Sequence, residues 1–300
     1  MGGPARGAPG GATAVGELLT PAELAVLAHA RFLLRRPRLA LPGGHLARRA
    51  GASLEFADHR PYQPGDDLRL VDWAVYARHR KLVTKVFSRE VEAPLYVLLD
   101  VSRSMGLGGK LPFAARLAGA LCFLSYRTGD RFAVYPFAER PLFLGKPRRG
   151  RTALAHTFFE LVGLSAGGKT DLARALAEWA EAAREPGMCL VLSDFLAPGF
   201  RAGLAALRFG RHAVAAVQIL SSEDLSPSVL GEARLFDVEE GRGRPMVVGR
   251  TAQKAYEEAL RRWNKTLSEA CLELGVAQFL FPAEGSPVSA ALTIARRWRP

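Results

Sequence analysis

The chain predicts an α/β fold, a mostly parallel sheet with helices on both faces, preceded by an N-terminal accessory segment. Three observations carry this reading. Apolar runs of strand length, such as Leu95 to Leu99 and Met188 to Ser193, alternate with longer stretches whose apolar residues repeat at helical spacing. That alternation implies right-handed crossovers and strands buried on both sides. About half of the 300 residues are apolar, enough to fill the core of a layered domain.

Residues 1 to 15 are mostly Gly, Ala and Pro, bury nothing useful and read as a disordered lead-in. After Thr20, a good N-cap, Leu24, Leu27, Ala28 and Phe32 recur at helical spacing, and the helix they predict is ended by Pro37 and the Pro42-Gly43-Gly44 turn. Residues 16–92 are assigned to the accessory segment and 93–300 to the main domain. In the main domain the pattern predicts a strand at Leu95 to Leu99, a helix at Pro112 to Tyr126, a strand at Arg131 to Phe137 and a hairpin around Leu142. Helices follow at about 152 to 162 and 171 to 184, then strands at Met188 to Ser193 and Ala213 to Ile219. Leu235 to Val238 and Met246 to Val248, separated by Gly241 and Gly243, read as a hairpin inserted within 233–249. A helix from about Ala252 to Leu274 and a strand at Val276 to Phe281 complete the sheet.

The formal charge of +12 is accounted for by an arginine-rich surface. Clusters at Arg31 to Arg49 and at Arg296, Arg297 and Arg299 keep an acidic partner open, whereas no aromatic-basic repeat argues for nucleic acid. Cys122, Cys189 and Cys271 lie in apolar runs without metal-ligand spacing and read as small buried hydrophobes. Their odd count and the lack of a secretory leader point to the cytoplasm, and the apolar stretches fall far short of the ~20 residues of a membrane span.

In an open parallel sheet, ligands bind where loops converge at the carboxyl ends of the strands. The first such loop reads Asp100-Val101-Ser102-Arg103-Ser104-Met105. One carboxylate and two hydroxyls at alternate positions can aim oxygens at one spot, which suits a hard cation such as Mg²⁺. Taken alone, the string is also a turn in which Asp and Ser satisfy backbone donors. It resembles the metal-ion-dependent adhesion site of von Willebrand factor A domains, in which later loops add a Thr and an Asp. Thr170 and Asp194 match those two positions. The resemblance implies a von Willebrand factor A-like fold that uses Asp100, Ser102, Ser104 and Thr170 as nearest ligands of Mg²⁺ or Mn²⁺, with Asp194 acting through water.

Two enzyme motifs overlap the same loop. Gly163 to Thr170 satisfies the string of a nucleotide-binding P-loop, but the preceding Leu154, Phe158, Leu161 and Val162 repeat as a helix, not the strand a P-loop must leave. Lys169 then reads as a solvent-facing residue. Gly163-Leu164-Ser165-Ala166-Gly167 also spells the nucleophile elbow of serine hydrolases, with Asp194 and His212 following in order, and it meets the same objection.

Residues 51 to 90 hold Glu55-Phe56, Asp58, Arg60, Tyr62, Pro64-Gly65-Asp66-Asp67, Arg69, Asp72-Trp73, Ala77-Arg78, Leu82, Lys85 and Glu90. Their acids and arginines predict an ion-paired brace that docks the segment on the main domain, the alternative being a surface read by a partner, with Tyr62, Trp73 and Phe87 anchoring it in the core. Together with Lys110, Gly129-Asp130-Arg131 and Gly168-Lys169-Thr170-Asp171-Leu172, the stretch resembles the bacterial family known as domain of unknown function 58, over nearly all of 43–295. That resemblance implies a non-catalytic interaction module. It would dock a protein partner offering an acidic residue, as adaptor of a MoxR-type AAA+ ATPase in protein assembly or remodelling.

Overall fold

The computed structural model describes residues 18–30, 38–41, 55–90, 93–226, 231–236, 243–298 and 300. The lead-in at 1–15 and the Pro42-Gly43-Gly44 turn lie outside them. The chain forms two compact units: residues 1–35 with 93–299, and residues 36–92. The second unit therefore begins at Arg36, not at 16. The reason is local: helix α1 (Pro21–His29) belongs to the main unit, where Arg116 Nη2 donates to Glu23 Oε1 at 2.5 Å and Arg127 Nη1 to the Leu27 carbonyl at 2.9 Å. Thr20 and Glu23 form the capping box that starts α1.

Residues 36–92 carry a three-stranded antiparallel sheet ordered β1 (Arg38–Leu41), β3 (Val83–Glu90), β2 (Glu55–Pro61), with helix α2 (Trp73–His79) leading into β3. Several charged residues of the expected brace pair within this unit. Arg60 pairs with Asp66, whose carboxylate also accepts from the Gln63 amide and the Thr84 hydroxyl. Asp72 caps α2 through the Ala74 and Val75 amides while its other oxygen meets His59 Nε2 at 2.9 Å and Lys85 Nζ at 3.5 Å. The His59 contact foremost, then the Val75 amide, holds the Asp72 carboxyl down at about 2. The expectation that Trp73 is a core anchor is corrected: it is 57% exposed and packs edge-on to Tyr76. Tyr62 is half-buried, and the Phe87 side chain lies outside the described set.

The main unit is built on a five-stranded, wholly parallel sheet ordered β10 (Ala277–Pro282), β7 (Ala213–Leu220), β6 (Met188–Ser193), β4 (Leu95–Asp100), β5 (Phe132–Phe137). The two-residue period of the strands sorts the side chains into two apolar layers. Leu95, Val97 and Leu99 of β4 and Met188, Leu190 and Leu192 of β6 enter one, with α1, α3 (Lys110–Arg127), α4 (Arg151–Val162) and α9 (Pro287–Arg297). Tyr96, Leu98, Cys189 and Val191 enter the other, with α5 (Leu172–Ala182), α6 (Phe200–Phe209) and α8 (Arg250–Leu274). Gly203 is what lets α6 lie so near α5, since a Cβ there would stand 2.6 Å from the Leu172 carbonyl. After β7 come the short helix α7 (Ser222–Leu225) and the hairpin β8 (Gly231–Phe236) with β9 (Gly243–Val248), where the insertion was expected.

Helices α6 and α9 are not among the elements the pattern predicts. The hairpin expected around Leu142 is reduced to isolated antiparallel bridges, Phe137 to Pro141 and Phe132 to Arg148. The three cysteines are buried and free. Among the described residues, no helix is long and apolar enough to cross a membrane.

At the amino-terminal end of β7, His212 is 1% exposed and packs against the rings of Tyr96 and Trp179, and its Nδ1 accepts from the Gly187 amide at 3.2 Å. Burial lowers its pKa below the ordinary 6.5. A histidine kept neutral in the fold contributes stability that is complete above that value and is lost as pH falls through the lower folded one. His212→Asn keeps an acceptor but cannot titrate. Urea unfolding at pH 7.5 and pH 5 should show the wild type losing more stability than the variant, and equal losses would contradict the assignment.

Candidate functional site

Asp100 ends β4 and Asp194 directly follows β6, so both lie at the carboxyl edge of two adjacent strands. The chain leaves β4 for β5 on one side and returns to β6 on the other, which makes this gap the switch point of the sheet. Asp100 is fully buried. Its Oδ1 accepts from the Ser102 amide at 2.9 Å and its Oδ2 from the Ser193 hydroxyl at 2.6 Å. The Ser102 and Ser104 hydroxyl oxygens stand 3.2 Å apart at the start of the single 3-10 turn Arg103–Gly106.

The loop between α4 and α5 is stitched to this turn by main-chain bonds: Gly167 N–H donates to the Val101 carbonyl at 2.8 Å and Arg103 N–H to the Gly168 carbonyl at 3.1 Å. Thr170 and Ser104 are half-buried, while Lys169 and Arg103 are exposed on the rim. The first and second loops are thus joined directly, and the third is tied to the first through Ser193 and Asp100.

Three side chains have roles here that the sequence reading did not assign: Ser193, Lys110 and Asp224. Ser193 couples the strands, donating to Asp100 and accepting from the Phe195 amide at 3.1 Å. Lys110, at the start of α3, is 1% exposed. Its ammonium meets Asp194 Oδ2 at 2.9 Å and Asp224 Oδ2, on α7, at 3.0 Å. Burial by itself would lower the Lys110 pKa, but the two carboxylates outweigh it and hold it above the ordinary value. The signals were there to find: a lysine amid the apolar residues of α3, and the Ser221-to-Asp224 capping box after β7. Gly108 seats this corner. Its φ is +58°, and a Cβ would fall 2.3 Å from that of Ser221.

Asp194 Oδ1 accepts from the Leu196 amide at 3.1 Å, so Lys110 takes the other oxygen. Phe195 has φ +53°, a left-handed conformation uncommon for a large side chain. It is held by Trp263 Nε1, which donates to its carbonyl at 2.7 Å. Asp100 differs from Asp194 in that no cationic side chain pairs with it among the described residues. Burial first and the neighbouring Asp194 second push its carboxyl up to about 6, against the hydrogen bonds from Ser193 and Ser102. Among the described residues no three His, Cys, Asp or Glu side chains gather as a ligand set, so the candidate set depends on hydroxyl oxygens.

The two enzyme motifs lack their required context. Gly163 to Thr170 joins helix α4 to helix α5, so no strand leads into it as a P-loop or a nucleophile elbow demands. His212 opens β7, whereas Asp194 follows the end of β6, its neighbour in a parallel pair. The histidine and the aspartate of the supposed triad therefore lie at opposite ends of the sheet.

Residues 58–266 match the family described as Protein of unknown function DUF58. The chain is also similar to uncharacterized proteins of Mycobacterium bovis and Mycobacterium tuberculosis, at 32% identity over 212 residues, covering 67% of this chain and 66% of theirs. Among solved structures it is similar to the conserved hypothetical protein BatB from Bacteroides thetaiotaomicron, with TM-score 0.45, 15% identity and coverage of 68% of this chain and 96% of that one. An aerotolerance-related membrane protein from Bacteroides fragilis gives TM-score 0.43 and 15% identity over 68% of this chain and 97% of that one. The family match runs from β2 to α8 and takes in well over half of the sequence, and the chain accordingly belongs to the DUF58 family of proteins of unknown function.

Proposed function

We propose that the main unit is a von Willebrand factor A-like interaction module whose carboxyl-edge loops bind Mg²⁺ or Mn²⁺ and dock a partner through an acidic side chain. The observation that carries this reading is Asp100, a fully buried carboxylate with no cationic side chain on it among the described residues, beside two hydroxyl oxygens 3.2 Å apart. The charge arithmetic agrees. Asp100, Asp194 and Asp224 when ionised contribute three negative charges and Lys110 one positive, leaving a formal −2 that a divalent cation offsets.

Asp100, Ser102, Ser104 and Thr170 would hold the ion, with Asp194 behind them. A bound cation would supply a Lewis-acidic position open to an outside carboxylate. Exposed Arg103 and Lys169 on the rim favour an acidic partner by the same sign of charge. The MoxR-type AAA+ ATPase implied by the family resemblance is the partner to try first, with the protein acting as its adaptor and not as an enzyme.

Calorimetric titration should register Mg²⁺ binding by chelator-stripped protein and lose it in Asp100→Ala, while far-UV circular dichroism stays the same; unchanged affinity in the variant would sink the site. Because the ligand form of Asp100 is the carboxylate and its metal-free carboxyl lies at about 6, affinity should fall roughly tenfold per unit as pH drops below that value. A flat profile between pH 5 and 7 would speak against Asp100 as a ligand. Lys110→Met should cost about 3–5 kcal/mol of stability in chelator, since it strands two carboxylates. Mg²⁺ should restore part of that loss in a melting experiment, and no recovery would uncouple Lys110 from the ion.

A further inference from the structure

A second feature able to engage a partner is a gap, one residue long, in the bonded outer edge of β5. Strand β5 is an outer strand, and its outward main-chain groups can be identified from three hydrogen bonds. Phe132 N–H donates to the Arg148 carbonyl at 2.9 Å, Arg148 N–H returns to the Phe132 carbonyl at 3.0 Å, and Leu142 N–H donates to the Pro136 carbonyl at 2.9 Å. Positions 132 and 136 therefore face outward, and the two-residue period of a strand turns the amide and carbonyl of Val134 the same way. Among the described residues no hydrogen bond reaches Val134 on that side.

The segment that could have covered Val134 stands away from it. Five residues lie between Leu142 and Arg148 where three lie between Phe132 and Pro136, so the loop arches off the edge. The Tyr135 hydroxyl pins this arch by donating to the Gly145 carbonyl at 2.6 Å. Tyr135 points into the apolar layer shared with α5, so the arch leans towards that face. On the other face, towards α4, it leaves a cavity of about 570 Å³. Phe132, Val134 and Phe143 give that cavity an apolar wall, and Lys146, Arg148 and Arg149 a basic one. Its lone carboxylate, Glu160, is met by His156 Nδ1 at 3.3 Å. Leu142, Phe143 and Leu144 on the arch are each more than half exposed.

We propose that the edge of β5 at Val134 is a docking site for an extended, acidic segment of a partner protein. One residue of the segment fills the gap between the bonds at Phe132 and Pro136 by exchanging main-chain hydrogen bonds with Val134. One of its side chains enters the cavity, and its carboxylates face Lys146 and Arg148. An unpaired donor and acceptor on a strand edge are complemented by another strand residue, and the charge of the wall selects the acidic one. This surface is built from β5, its loop and α4, and the proposal does not rest on cation binding at Asp100.

The test uses the full chain and a fluorescein-labelled hexapeptide of alternating Glu and Val, with a Lys/Val hexapeptide of equal length as control. Saturable anisotropy with the acidic peptide alone is expected, together with at least tenfold slower hydrogen exchange at the Val134 amide. Lys146→Glu with Arg148→Glu should weaken binding at least tenfold. Val134→Pro deletes the outward amide, at a position equivalent to that of Pro136, and also takes the valine side chain from the cavity wall; it should weaken binding similarly. Absence of saturable binding up to millimolar peptide overturns the proposal. So does binding that leaves Val134 exchange unchanged, which would describe a diffuse basic surface. Should Val134→Pro not fold, the exchange rate and the double charge reversal decide.

Discussion

Everything at the carboxyl edge of the main sheet depends on one buried carboxylate, Asp100, and on the hydroxyl of Ser193 that holds it. The bond ties the end of β4 to the end of β6, across the gap where the strand order reverses. Burying a carboxylate without a cation is costly, and its elevated pKa registers that cost. A fold keeps such a group only where neighbouring bonds position it strongly. Here the Ser102 amide and the Ser193 hydroxyl do so, and the turn bearing Ser102 and Ser104 is fixed in turn by the Gly167 and Gly168 main chain.

Lys110 gives the site its asymmetry. Asp194 lies close enough for its charge to act on Asp100, yet the ammonium serves Asp194 and Asp224 and leaves Asp100 with hydrogen bonds alone. The same ammonium ties the start of α3 to α7. From there Tyr256 of α8 donates its hydroxyl to the Asp224 carbonyl at 2.8 Å. The carboxyl-edge loops are thus joined by short bonds to the long helix α8, so a change of charge at Asp194 has a physical path to that helix.

The layered sheet was legible because its central strands are buried on both faces and read as unbroken apolar runs, as β4 and β6 do. The order of the three loops was legible for the same reason: each follows a recognisable element. Accessory strands β2 and β3 were not, since Glu55 to Pro61 and Val83 to Glu90 mix charge with apolar residues and show no clean alternation. Lys110 was legible only as part of the family resemblance; its burial was not, since a lysine on a helix ordinarily faces water, which fails where two carboxylates are waiting for it. Trp73 misled in the opposite direction, since a large aromatic does not have to be buried. The P-loop and elbow strings show why spacing alone is weak: the helix in front of Gly163, which cannot be read from the string, decides against both.

The cation reading turns on whether a metal takes the place prepared around Asp100. The most direct measurement is the anomalous difference density of crystals grown with Mn²⁺. One peak is expected within about 2.2 Å of the Ser102 and Ser104 hydroxyl oxygens and beside Asp100. Well-ordered loops with no peak there, or a peak only at unrelated surface carboxylates, would contradict the account and leave Asp100 as a buried acid with a purely structural role.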